Sequence, residues 1–198
     1  VAISFNRKGD KIFSATIAGT FLEWDLDTPT AKPMILTHDA IINSYDLSND
    51  GKWVVTGGKD KKISVWDVNN LDEYKTATTQ FDVGNVNLSL NNKLLTAFES
   101  VGVRNTKKWS VYSFPDLETK STGELPINTI ISQVSPDGKL IAYGNKDNSL
   151  TVYDTENDKI AYITNEHNGW VDGIQFSPDS SIFVTLCKDS QVRAFDAK

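Results

Sequence analysis

Two histidines are the first residues in this chain that suggest chemistry. His38 and His167 are its only histidines, and Thr56 and Asp60 follow the first as Asp189 follows the second. Imidazole, hydroxyl and carboxylate are the parts of a hydrolytic triad, but geometry and roles define a triad, not residue types. Other chemistries fail on their residues. Cys187 is the single cysteine, so neither a disulfide nor a multi-cysteine zinc site is expected. DTENDK (154–159) alternates acids like a calcium loop. It lacks the glycine at its sixth position and the glutamate at its twelfth. No phosphate-binding Gly-Lys-Ser/Thr loop and no dinucleotide fingerprint occurs. No cofactor or metal is expected. Asp50, Asp137, Asp147 and Asp179, like Asp60 and Asp189, stand among turn residues, where aspartate serves local backbone hydrogen bonds. The chain therefore reads as non-enzymatic.

The second concentration is basic. VGVRNTKKW (101–109) holds Arg104, Lys107 and Lys108 and no acid, in a chain of formal charge -6. The negative balance argues against nucleic acid as a partner. No run approaches the ~18 apolar residues of a membrane helix, so no membrane span is expected. A lone cysteine suits a reducing compartment, and the expected location is cytoplasmic or nuclear. Asn87-Leu88-Ser89 matches a glycosylation sequon but falls in an apparent strand, and is read as chance.

The elements that position these residues are short. Runs such as KWVVTGG, KISVWDV, KLIAYGN, SLTVYDT and SIFVTLC are rich in β-branched and aromatic residues, and Asn, Asp, Gly and Pro separate them. They repeat. FLEWDL, ISVWDV, WSVYSF, LTVYDT and VRAFDA carry Trp24, Trp66, Tyr112, Tyr153 and Phe195 at intervals of 42, 46, 41 and 42 residues. The polar turns NRKGDK, SNDGKW, SPDGKL and SPDSSI recur in step with them. A period near 40–45 with about four strands per unit indicates a β-propeller.

On these residues the chain resembles the WD-repeat family over nearly its whole length. Trp24-Asp25 and Trp66-Asp67 match the family dipeptide, and Tyr153-Asp154 and Phe195-Asp196 are conservative versions. Both histidines stand 28 residues before a third-strand aromatic, Trp66 or Phe195. The resemblance implies an all-β propeller of four-stranded antiparallel blades. Residues 1–198 would supply about five of them, as part of a seven-bladed ring in a longer polypeptide.

The resemblance also gives each candidate an address. His38, Thr56, Asp60 and Trp66 would form a buried hydrogen-bonded chain bracing a blade. His167 and Asp189 would form a partial version, because Phe195 has no N–H. Lys59, Lys146 and Lys188 each stand seven residues before a third-strand aromatic, which puts them on the top face near the channel mouth. The repeat holding VGVRNTKKW is longer between its second and third strands, so Arg104, Lys107 and Lys108 would join that face from a loop. Trp170 would stand at the same rim as an anchor.

The functional expectation is a non-catalytic scaffold that binds other proteins in a multiprotein complex. The alternative is a reader of phosphorylated or acidic segments through a basic top face. A third reading is an enzyme with carboxylates on the channel.

Overall fold

The computed structural model describes residues 2–5, 9–16, 20–28, 31–35, 38–69, 73–89, 91–100, 106–126 and 128–197. They form nineteen strands in five antiparallel sheets. The first sheet contains β1 (Ala2–Phe5), β2 (Lys11–Ala15), β3 (Thr20–Asp25) and β4 (Ala31–Ile35). The second contains β5 (Ile42–Leu47), β6 (Trp53–Gly58), β7 (Lys62–Asp67) and β8 (Glu73–Thr78). The third contains β9 (Asp82–Leu88), β10 (Leu94–Ser100), β11 (Thr106–Ser113) and β12 (Thr119–Glu124). The fourth contains β13 (Thr129–Val134), β14 (Leu140–Asn145), β15 (Leu150–Asp154) and β16 (Lys159–Thr164). The fifth has three strands, β17 (Val171–Phe176), β18 (Ile182–Cys187) and β19 (Val192–Asp196). Within each sheet the strands neighbour one another in chain order, and every repeated aromatic falls on the third strand.

Four apolar clusters hold the sheets together, one at each junction. Phe13, Val54 and Trp66 join the first sheet to the second. Val55, Val65, Val86 and Leu95 join the second to the third. Phe98, Trp109, Ile141 and Tyr143 join the third to the fourth, and Ala142, Val152, Ile174 and Phe183 join the fourth to the fifth. The period of two along a strand explains this layout. Val54 faces the preceding sheet and Val55 the following one, as do Ile141 and Ala142. A strand with a sheet on each side thus reads as a continuous apolar run rather than an alternating one.

The end sheets depart from this rule. In β18 burial alternates strictly: Phe183, Thr185 and Cys187 are buried, while Ile182, Val184 and Leu186 are exposed. In the first sheet Phe13 is buried, while Ile3 and Phe5 are exposed at 72% and 64%.

The turns between first and second strands share one construction. Ser48, Ser135 and Ser177 each donate a hydroxyl hydrogen to the aspartate two residues on, Asp50, Asp137 or Asp179, at 2.6 Å. One residue per turn then takes a left-handed conformation: Gly9, Gly51, Asn92, Gly138 and Ser180. Glycine adopts it without steric cost. Where it is not glycine, the side chain makes a contact glycine cannot. Asn92 Oδ1 accepts from Asn49 N–H (2.8 Å) and Ser180 Oγ accepts from Asp137 N–H (3.1 Å), each clasping the turn of the preceding sheet.

These carboxylates make the fold acid-sensitive. Asp50, Asp147 and Asp179 are held below the usual carboxylate range by neighbouring serine hydroxyls, Asp179 at about 2, and Asp189 is held low by Arg193. A depressed carboxyl group stabilises the fold above its unfolded pKa, and that contribution is lost as pH falls through the folded value. Asp46, raised by burial, works in the opposite sense but is outnumbered. Thermal melts should show the midpoint falling between about pH 4 and pH 2. A flat midpoint across that window would show that the turn carboxylates contribute nothing.

Candidate functional site

The second sheet joins the expected polar residues in one chain. His38 Nδ1 lies 2.9 Å from Asp60 Oδ2, and His38 Nε2 lies 2.6 Å from Thr56 Oγ1. Trp66 Nε1–H donates to the same Thr56 Oγ1 at 2.8 Å. With the hydrogen placed on Nδ1, the donors form one series: indole to hydroxyl, hydroxyl to imidazole, imidazole to carboxylate. Asp60 also accepts from the backbone N–H groups of Asp39 and Lys62. The His38 and Asp60 side chains are 1% and 5% exposed, and Thr56 is fully buried. A nucleophile must reach substrate, and this hydroxyl does not.

Gly58 keeps the space this chain needs. A Cβ there would come within 2.7 Å of Asp60 and 2.8 Å of His38. The same register position holds Glu99, Asn145 or Cys187 in the later sheets, and each changes the network. In the fifth sheet, His167 Nε2 lies 2.9 Å from Thr185 Oγ1, but its buried Nδ1 has no hydrogen-bond partner. The Asp189 carboxylate pairs with Arg193 and accepts from Asn168 N–H. Cys187 stands in the fifth sheet at the register position Gly58 holds in the second. The partial network thus differs from the expected one in that Asp189 does not bond to His167. In the third sheet, which has no histidine, Glu99 is 1% exposed and accepts from Gln80 and Phe81 N–H. It holds the entering loop from the second strand, as Asp60 does from the following turn. A buried acid amid apolar residues was the available signal for Glu99, and the repeat alignment passed over it.

The basic residues come together only in part. Lys59, Lys146 and Lys188 are exposed. Each continues the second strand by donating its backbone N–H to the residue just before the first strand, Ile41, Asn128 or Trp170, at 2.9 Å. Around Trp170 this produces a cluster. The indole N–H donates to Lys146 O at 3.0 Å across the sheet junction, and Lys188 Nζ lies 4.6 Å from the ring centroid. Trp170 is 40% exposed.

VGVRNTKKW differs from its expected form. Lys107 and Lys108 belong to β11, not to a loop. Lys108 is half-buried and pairs across the sheet with Glu99 and Glu124. The strand ladder thus runs further toward the connection than sequence spacing implied, and residues 101–105 lie outside the described residues. Arg104 and the side chain of Lys107 lie outside the described residues. Acids also punctuate the rim, with Asp39 bridged to Lys62 at 2.6 Å and Asp147 exposed.

A model of the WD domain, G-beta repeat matches residues 32–67. A model of the anaphase-promoting complex subunit 4 WD40 domain matches residues 132–198. The two matches together span just over half of the sequence. The chain belongs to the WD-repeat family. Among curated relatives, this WD-repeat chain is 26% identical over 209 residues to eukaryotic translation initiation factor 3 subunit I of Candida glabrata. That alignment covers 98% of the chain and 60% of the relative. It is 24% identical over 196 residues to nuclear distribution protein nudF of Aspergillus niger, covering 98% of the chain and 39% of the relative. The WD-repeat chain thus spans about 60% of the length of the initiation factor subunit. Among solved structures, the β-propeller domain of Cps50 (Swd1) from Myceliophteria thermophila superposes with a TM-score of 0.78 at 18% identity. The superposition covers 98% of the chain and 64% of that domain. This likeness shows the fold, a β-propeller whose blades are the sheets described above.

Proposed function

We propose that this WD-repeat chain is a non-catalytic platform that receives protein partners on its top face within a multiprotein complex. The observation that carries the reading is Trp170. A large, partly exposed indole is fixed at the rim by a hydrogen bond to one blade and by a lysine from its own. A rigid aromatic held before binding loses little freedom on binding, which is what an interface anchor requires. Relatives named as complex subunits, a translation initiation factor subunit among them, support the same reading and a place in the cytoplasm or nucleus. The triad-like residues support a structural role, since both His38 nitrogens are bonded and the hydroxyl is sealed. An enzyme built on channel carboxylates finds only Asp46 lining the channel cavity among the described residues. We further propose that the five blades belong to a larger ring.

Trp170→Ala should weaken capture of specific partners from cell extract about thirtyfold. It should lower stability by no more than about 1 kcal/mol, because the ring is partly exposed. Full capture by this variant would remove the rim from the interface. The second reading, a reader of acidic or phosphorylated segments, is favoured by Lys146 and Lys188 beside Trp170. It requires that their joint reversal to Glu abolish capture and that wild-type capture fall steeply with salt. Capture insensitive to both leaves the apolar platform alone.

A further inference from the structure

Four consecutive blades place a polar side chain at one register position. Asp46, Asn87, Gln133 and Gln175 are each the penultimate residue of the first strand of their blade. The residues that follow them pair with Val54, Leu95, Ile141 and Phe183 respectively, which fixes the equivalence. All four line one cavity of about 220 Å³, with Phe176 and Pro178 on its apolar side. The cavity lies where the first strands run into the turns, at the opposite end of β17 from Trp170. It is therefore separate from the rim site.

Its hydrogen bonding is incomplete in two complementary ways. Asp46 Oδ1 accepts from Leu47 N–H at 2.8 Å and Oδ2 from Leu88 N–H at 2.7 Å. Each oxygen keeps acceptor capacity. Among the described residues no Lys, Arg or His lines the cavity, so none of them supplies the carboxylate with a cation there. Asn87 Nδ2 is buried and has no hydrogen-bond partner, and a buried amide without an acceptor is costly. Asp46 Oδ2 bonds to the N–H of the residue after Asn87, and both side chains line the same cavity. A ligand matching both must bring a cationic N–H donor with a carbonyl oxygen close to it. A lysine side chain does not qualify, since four methylenes separate its ammonium from the backbone. An α-ammonium group does, because its own carbonyl is two bonds away.

We propose that this cavity is a subsite for an α-ammonium group and its adjacent carbonyl, as carried by the free N-terminus of a peptide or by a free amino acid. The ammonium donates to Asp46, and the carbonyl oxygen accepts from Asn87 Nδ2. The glutamine amides of Gln133 and Gln175 serve the next polar group. Backbone and amide groups commonly fix a ligand's orientation in this way while apolar walls supply area.

Calorimetry on the intact protein tests this with three probes: Ala-Ala-Ala-amide, its N-acetylated form and free L-alanine. The free-amine peptide should bind, and acetylation should weaken it at least tenfold. Asp46→Asn should weaken the peptide about tenfold. Asn87→Leu provides the check against misfolding. It removes an unsatisfied buried group, so its unfolding midpoint should not fall, yet it should weaken the peptide at least fivefold. Comparable binding of L-alanine identifies a free amino acid as sufficient, and binding of the peptide alone identifies a protein N-terminus. Equal binding of the acetylated peptide, unchanged affinity in Asn87→Leu, or no binding by any probe overturns the proposal and leaves the cavity to water.

Discussion

Thr56→Val will lower the stability of this chain by about 2–4 kcal/mol, since each buried group left unsatisfied costs about 1–3 kcal/mol. Valine keeps the β-branched shape, so the strand and its packing remain. What disappears is one hydroxyl that serves two neighbours. Trp66 Nε1–H loses its acceptor at 2.8 Å, and His38 Nε2 loses its partner at 2.6 Å. Thr56 is fully buried, so water does not replace the hydroxyl. The fifth blade supplies an internal control. Thr185 is also buried and bonds to His167 Nε2, but Phe195 stands where Trp66 does and carries no N–H. Thr185→Val therefore strands one group and should cost about 1–2 kcal/mol. Urea unfolding of the two variants measures the difference. Equal losses would show that the indole contributes nothing through its hydrogen bond.

The second large effect concerns the uncovered face of the fifth blade. Val184→Lys combined with Leu186→Lys should shift self-association of the 198-residue chain toward monomer by about a hundredfold. Each buried Val or Leu is worth about 1.5–3 kcal/mol and each tenfold about 1.4 kcal/mol. Ile182, Val184, Leu186 and Val192 are exposed together on β18 and β19, at 45%, 37%, 54% and 68%. Their equivalents toward the following blade, such as Val55 and Ala142, are fully buried. An exposed apolar face of this kind seeks a partner. Sedimentation of the wild-type chain and the variant reads the shift directly. A wild-type chain that stays monomeric at high micromolar concentration would count against further blades covering this face.

The propeller was legible because its signals are local. An aromatic on each third strand, a serine–aspartate turn and a left-handed residue recur within single blades, and the backbone demands them wherever a strand reverses. The chain from His38 through Thr56 to Asp60 and Trp66 was legible for the same reason, since all four lie in one repeat. Which residues face one another across the strands was not. Strand β11 takes in Lys107 and Lys108, with Lys108 in register with Glu99 and Glu124, where spacing alone placed a loop. Gly58 leaves the room in which Asp60 meets His38, whereas Cys187 holds that position in the fifth blade and Asp189 pairs with Arg193 instead.

The sequence by itself determined the repeat, the strand count within each blade, and the residues that brace one blade internally. The tertiary structure decided which charges meet. It seated Lys188 on Trp170 and hung the indole from Lys146. It also brought Asp46, Asn87, Gln133 and Gln175, from four separate repeats, into one cavity. The physical reason is the range of the forces involved. Turn geometry and strand alternation act over a few residues, whereas blade-to-blade register is set by side-chain packing between segments some forty residues apart.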